Sequence, residues 1–138
     1  MKAVVQRVSA AAVSVGGDEV SRIGAGMLVL LGIGRTDGPA EAGRMANKIA
    51  KLRIFEDGDG RMNEAAGERE ILCVSQFTLY ADTSSGNRPG FKDAASGEEA
   101  EVLYEDVCER LGARRGVFGA DMRVEIIGDG PVTILIDV

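Results

Sequence analysis

Met27-Leu28-Val29-Leu30-Leu31-Gly32-Ile33 carries no polar side chain at any position. An amphipathic helix would interrupt such a run every third or fourth residue and a half-exposed strand every second. The stretch therefore reads as a short strand covered on both faces, and it belongs at the centre of a sheet. Gly24-Ala25-Gly26 sets it off from what precedes it.

On the N-terminal side, residues 2–8 (Lys-Ala-Val-Val-Gln-Arg-Val) and 11–15 (Ala-Ala-Val-Ser-Val) are Val-rich and partly alternating. Gly16-Gly17-Asp18 then supplies a turn before Glu19 to Ile23, which together predict a meander of short strands. On the C-terminal side, Pro39 follows Asp37-Gly38. Ala42, Met45, Ala46, Ile49 and Leu52 recur at spacings of three and four, predicting a helix over 39–52. Arg53 to Glu56 reads as a brief strand, residues 57–60 as a tight turn, Ile71 to Phe77 as a second buried strand, and residues 82–90 as loop. Ser96 with Glu99 forms a capping-box pattern ahead of Ala100, Leu103, Tyr104, Val107, Cys108 and Leu111, predicting a second helix over 97–111 that stops at Gly112. Met122 to Ile127 and Val132 to Val138 read as two strands around Gly128-Asp129-Gly130-Pro131. No repeat or linker divides the 138 residues. They predict one domain, 1–138, of α+β class with a mainly antiparallel sheet and two main helices.

Composition narrows the function. No run approaches the roughly 18 apolar residues of a membrane-spanning helix, and the first seven residues, which include Lys2 and Arg7, form no secretory signal; cytoplasmic residence and no membrane partner are the expectation. Cys73 and Cys108 are the two cysteines, and there is no histidine. They fall short of a tetrahedral zinc site and read as buried reduced thiols, so no metal and no cofactor is expected. A net charge of −6, from 16 basic and 22 acidic residues, argues against holding long nucleic acid by phosphate neutralisation, though not against contact with one end. The basic groups Lys48, Lys51 and Arg53, then Arg88 and Lys92, then Arg110, Arg114 and Arg115, read as solvated charge.

Several motif readings fail. Gly24-Ala25-Gly26 is no dinucleotide fingerprint, since Val29 stands where the third glycine should be and a strand follows. Asp57-Gly58-Asp59 with Glu68 is no calcium loop, since Arg61 and Met62 occupy the fifth ligand and the required glycine; a hairpin turn is expected. Two segments remain. Ser75-Gln76-Phe77-Thr78-Leu79-Tyr80 brings a dense polar and aromatic set to the end of a strand, where backbone groups are delivered to a site. Ser75 or Thr78 could be a nucleophile, but without histidine the usual activating base is absent. Gly130-Pro131-Val132-Thr133 opens an apolar run with a residue that donates no hydrogen bond, after a glycine that leaves its carbonyl unshielded. A tight hairpin at Asp129-Gly130 accounts for the spacing equally well.

These two segments closely resemble those of the D-aminoacyl-tRNA deacylases, which hydrolyse D-amino acids from tRNA. The likeness extends to Val5-Gln6-Arg7-Val8, Leu52-Arg53-Ile54-Phe55-Glu56-Asp57, Gly86-Asn87-Arg88-Pro89 and Phe118-Gly119-Ala120-Asp121-Met122. It departs at Gly128, where the family usually has Asn. The resemblance implies a barrel-like homodimer in which Gly130 and Pro131, as a Gly-cisPro unit braced by Arg7, reach into the partner's site. Ser75, Gln76, Phe77 and Thr78 would line a pocket for the terminal adenosine and its ester at the acceptor end, with the Phe77 N–H as oxyanion donor. L-residues would be rejected by the Gly130 and Pro131 carbonyls, and glycyl-tRNA would pass. Two other classes of function stay open on the residues: a small-ester hydrolase with Ser75 or Thr78 as nucleophile, and a non-enzymatic dimeric RNA-binding module that stacks bases on Phe77 and Tyr80.

Overall fold

The computed structural model describes residues 1–138 as eight strands and two helices. They are β1 (Lys2–Val15), β2 (Asp18–Ile23), β3 (Gly26–Gly32), α1 (Pro39–Ala50), β4 (Phe55–Glu56), β5 (Met62–Glu64), β6 (Glu70–Ser75), α2 (Gly97–Leu111), β7 (Arg114–Arg115) and β8 (Arg123–Asp137), with a 3-10 turn over Phe77–Tyr80 after β6. The main sheet runs β2-β1-β3-β6-β7, and β8 lies along the other edge of β1. Pairs of β1 with β2, β3 and β8 are antiparallel; β3 with β6 and β6 with β7 are parallel. As its apolar run predicts, β3 sits between two neighbours and is buried on both faces. The sheet curls until β2 meets β7, where the Ser21 hydroxyl donates to the Arg115 carbonyl, giving a nearly closed barrel.

Side chains on the two faces of the sheet enter two cores. Ala3, Val5, Met27, Val29, Leu31, Ile71 and Cys73 pack against α1 and α2, meeting Met45, Ile49, Tyr104 and Val107. Val8, Ala11, Val13, Ile23, Leu28, Leu72 and Val74 fill the inside of the curl. Cys73 and Cys108 are both free and buried; hydrogen bonding between them and burial push the Cys73 thiol up, so it stays protonated and unreactive. The Tyr104 hydroxyl donates to the Cys73 carbonyl at 2.9 Å, fixing α2 to β6. No helix is long and apolar enough to cross a membrane.

Several elements differ from the sequence reading. The two expected N-terminal strands are one continuous β1, because β8 pairs along both halves. Helix α1 ends at Ala50, not 52. Helix α2 keeps its expected bounds, and Gly112 closes it at φ 59°, but Ser96 makes no side-chain cap bond. A comparable contact occurs at the other helix, where Glu41 accepts the Gly38 N–H at 2.9 Å. Residues 57–60 do turn a hairpin, between β4 and β5. Phe77 leaves the strand and starts the 3-10 turn. The largest difference concerns residues 122–138: they form no hairpin but the single strand β8. Its two halves run in the same direction along β1, and Asp129 to Val132 loop out between them opposite Arg7.

Candidate active site

β6 delivers Ser75 to the rim of a cleft of about 600 Å³. Its walls come from Ser75, Gln76 and Phe77, from the segment Phe91 to Gly97 with the start of α2, and from Phe118 to Met122. The lining is mainly apolar, as small-molecule sites are, with a few polar side chains, Ser75, Gln76, Ser96 and Asp121, within it. Phe77, 54% exposed, meets Phe91 edge-to-face at 5.0 Å between ring centroids, so two aromatic surfaces flank the mouth.

The geometry of the 3-10 turn explains which donors are free. Gln76 N–H donates to the Leu31 carbonyl at 2.7 Å, and Leu79 N–H to the Gln76 carbonyl at 3.3 Å. Between them, the amides of Phe77 and Thr78 open the turn and have no acceptor within it, as at any helix start. Such adjacent unpaired amides can stabilise a developing negative charge. Thr78 does not line the cleft; its hydroxyl accepts from Gln76 Nε2 and lies exposed.

The Gly130–Pro131 peptide is cis, with Gly130 at φ 133°. Arg7 holds this excursion from below. Its Nε donates to the Asp129 carbonyl at 3.1 Å and lies 3.3 Å from the Asp129 carboxylate, while Nη1 donates to the Ile54 carbonyl at 2.9 Å. At 9% exposure Arg7 is the one charged residue in the buried set. A Cβ on Gly130 would come within 2.8 Å of Val132 and 3.3 Å of Arg7 Nη2, so the close packing at this point requires glycine. Arg7, Gly130 and Pro131 thus come together, but none of them lines the cleft that holds Ser75, Gln76 and Phe77.

Sequence reasoning assigned no role to Phe91 or Asp37. Phe91 falls between the stretch read as loop, 82–90, and the second helix, where no periodic signal marks it. Asp37 reads as a turn residue, yet its carboxylate is 7% exposed and collects three donors: the Met1 α-amino group at 2.8 Å, the Gly34 N–H at 2.6 Å and the Tyr80 hydroxyl at 3.3 Å. Burial and the neighbouring Asp37 charge push the Tyr80 phenol well above its ordinary range.

The D-Tyr-tRNA(Tyr) deacylase family model matches residues 4–137. Among curated proteins, the D-aminoacyl-tRNA deacylase of Anaeromyxobacter dehalogenans (strain 2CP-C) is 54% identical, the match covering 99% of this chain and 97% of that protein. The D-aminoacyl-tRNA deacylase of Chlorobaculum parvum (strain DSM 263 / NCIMB 8327) is 51% identical over the same shares. Among solved structures, the c-Myc DNA Unwinding Element Binding Protein superposes with a TM-score of 0.94 at 45% identity, covering 100% of this chain and 99% of that one. A structure described as a probable eukaryotic D-amino acid tRNA deacylase shares the fold with a TM-score of 0.82 at 16% identity, covering 99% and 98%.

Proposed function

The chain belongs to the D-Tyr-tRNA(Tyr) deacylase family and is a D-aminoacyl-tRNA deacylase, a hydrolase of the ester joining a D-amino acid to tRNA; from that premise we propose that two copies of it sort mirror-image substrates with main-chain atoms. The observation that carries this reading is the excursion at Asp129 to Val132, held by a buried arginine and lying outside its own chain's cleft. In a homodimer it enters the cleft of the second copy. There the Gly130 and Pro131 carbonyls accept from the substrate's α-amino group and occupy the space an L side chain needs, while a D side chain points outward.

In the cleft, the terminal adenosine lies along Ser75, Gln76 and Phe77. Water attacks the ester carbonyl, the Phe77 N–H receives the oxyanion, and the carbonyl re-forms as the bond to the ribose 3′-oxygen breaks. The adjacent 2′-hydroxyl assists proton delivery to that oxygen. An aminoacyl ester is already activated, so positioning and charge stabilisation suffice without a histidine base. Only the acceptor end need touch the protein, in keeping with the net charge of −6. Glycyl-tRNA, having no side chain to collide, is also a substrate, and the setting is the cytoplasm.

The test is ester loss from matched D- and L-tyrosyl-tRNA with purified protein. Fitting one methylene discriminates by about 10–200-fold, and collision with fixed backbone should exceed that. Comparable turnover of the two would overturn the reading. An acyl group trapped on Ser75 or Thr78 would replace water attack by a covalent route.

A further inference from the structure

We propose that Tyr80 and Asp37 form a clamp that positions the Phe77–Thr78 turn for ester cleavage, making both of them positioning residues for the reaction. This rests on the reading of the Phe77 N–H as oxyanion donor.

The backbone of the turn is anchored at both ends, and the Phe77 ring rests on Phe91. At its start, Gln76 N–H is held by the Leu31 carbonyl at 2.7 Å. At its end, the Tyr80 ring lies against β3 and the residues just beyond it, and the fit there is made by two glycines. A Cβ on Gly34 would stand 2.6 Å from the Tyr80 hydroxyl oxygen and 2.8 Å from ring carbon Cζ. A Cβ on Gly32 would stand 3.0 Å from the Gln76 carbonyl oxygen and 3.1 Å from Leu79 Cβ. The Lys2 ammonium covers the ring at 4.9 Å from its centroid. Asp37 then joins the parts: one carboxylate oxygen accepts both the Gly34 N–H and the Tyr80 hydroxyl, and the other accepts the Met1 amine. Because the phenol is pushed upward, it remains a donor throughout the working pH range.

Tyr80 is absent from the cleft lining, so it acts on substrate through the turn. Only Phe77, Thr78 and Leu79 lie between the two anchors, and loosening the second lets the Phe77 amide shift relative to the ester carbonyl. The oxyanion exists only along the reaction path, so a displaced donor lowers kcat and leaves substrate binding nearly untouched.

The experiment compares wild type with Tyr80→Phe, which keeps the ring and removes the hydroxyl, using D-tyrosyl-tRNA for kinetics and the Phe77 amide resonance as a structural reporter. The clamp requires kcat to fall about tenfold or more, KM to stay within about twofold, and the Phe77 resonance to move. An unchanged kcat, or a fall in kcat with an unmoved Phe77 resonance, overturns it. Gly34→Ala supplies a second test. It should lower kcat in the wild-type background and have little effect in Tyr80→Leu, where the atoms it would strike are gone; equal losses in both backgrounds overturn the clamp. Wild-type protein that fails to cleave D-tyrosyl-tRNA would instead sink the deacylation mechanism, while the Phe77 resonance would still decide whether the clamp exists.

Discussion

Arg7 spends its charge on two backbone carbonyls, Asp129 and Ile54, from a position 9% exposed. Removing the side chain leaves both acceptors without their donor, and a hydrogen bond from a charged group contributes about 1.5–3 kcal/mol. Arg7→Ala should therefore destabilise by roughly 2–3 kcal/mol in urea unfolding and abolish most D-selectivity by freeing the excursion. Arg7→Lys, with a point charge where two directed donors are needed, should recover little of either. Thr78 makes the opposite case. Its exposed hydroxyl accepts only from Gln76, so Thr78→Ala should weaken substrate affinity or geometry and leave measurable turnover; complete loss of activity with intact tRNA binding would mark Thr78 as a nucleophile.

Among the elements, the strand and helix starts are fixed by carboxylates. Glu70, first in β6, accepts the Gly24 N–H at 2.8 Å and pairs with Arg114 at 3.0 Å; these contacts hold it below the ordinary carboxylate range. Glu41 in the first turn of α1 is lowered by the Gly38 N–H. Groups whose folded-state values are depressed contribute stability that is present above the unfolded value, 4.5 for both, and is lost as pH falls through the lowered ones. The urea midpoint should thus hold steady down to about pH 5 and decline below about pH 4.5, and Glu70→Gln should flatten that decline.

Elements with local signals were the legible ones. The period of α2 and its stop at Gly112 lie within one stretch of chain, and the unbroken apolar run of β3 implies cover on both faces. The continuity of β8 did not show, because Gly-Asp-Gly-Pro spells a turn locally while the pairing that overrides it is with β1, more than a hundred residues away. Asp37 was hidden for the same reason: two of its donors are 36 and 43 residues distant in sequence. The segment Ser75 to Phe77 was legible as cleft wall, whereas Phe91 reaches the cleft only through loop geometry.

For the whole molecule, β8 leaves one long edge of the sheet uncovered, with Leu135 81%, Ile127 59% and Ile126 42% exposed. An apolar edge of this kind invites pairing with another chain. Sedimentation should give twice the 14.5 kDa chain mass. Leu135→Lys should shift the protein towards monomers that stay folded by circular dichroism and no longer cleave D-aminoacyl-tRNA. A fully active monomer would rule out a shared site.

The register of β8 carries a consequence for how this enzyme can change. Gln6 pairs with Thr133 and Ala10 with Ile127, so four steps of β1 face six of β8. The surplus is split, three extra residues of β8 between Gln6 and Val8 and one extra residue of β1 between Val8 and Ala10. Across it the strand changes core: Val124 packs with the inner cluster, Ile134 and Ile136 with the helix-side one. The loop at 129–132 therefore sits where the strand passes from one core to the other, with paired residues on both sides: substitution at its tip can retune what it meets while the ladder that carries it stays paired.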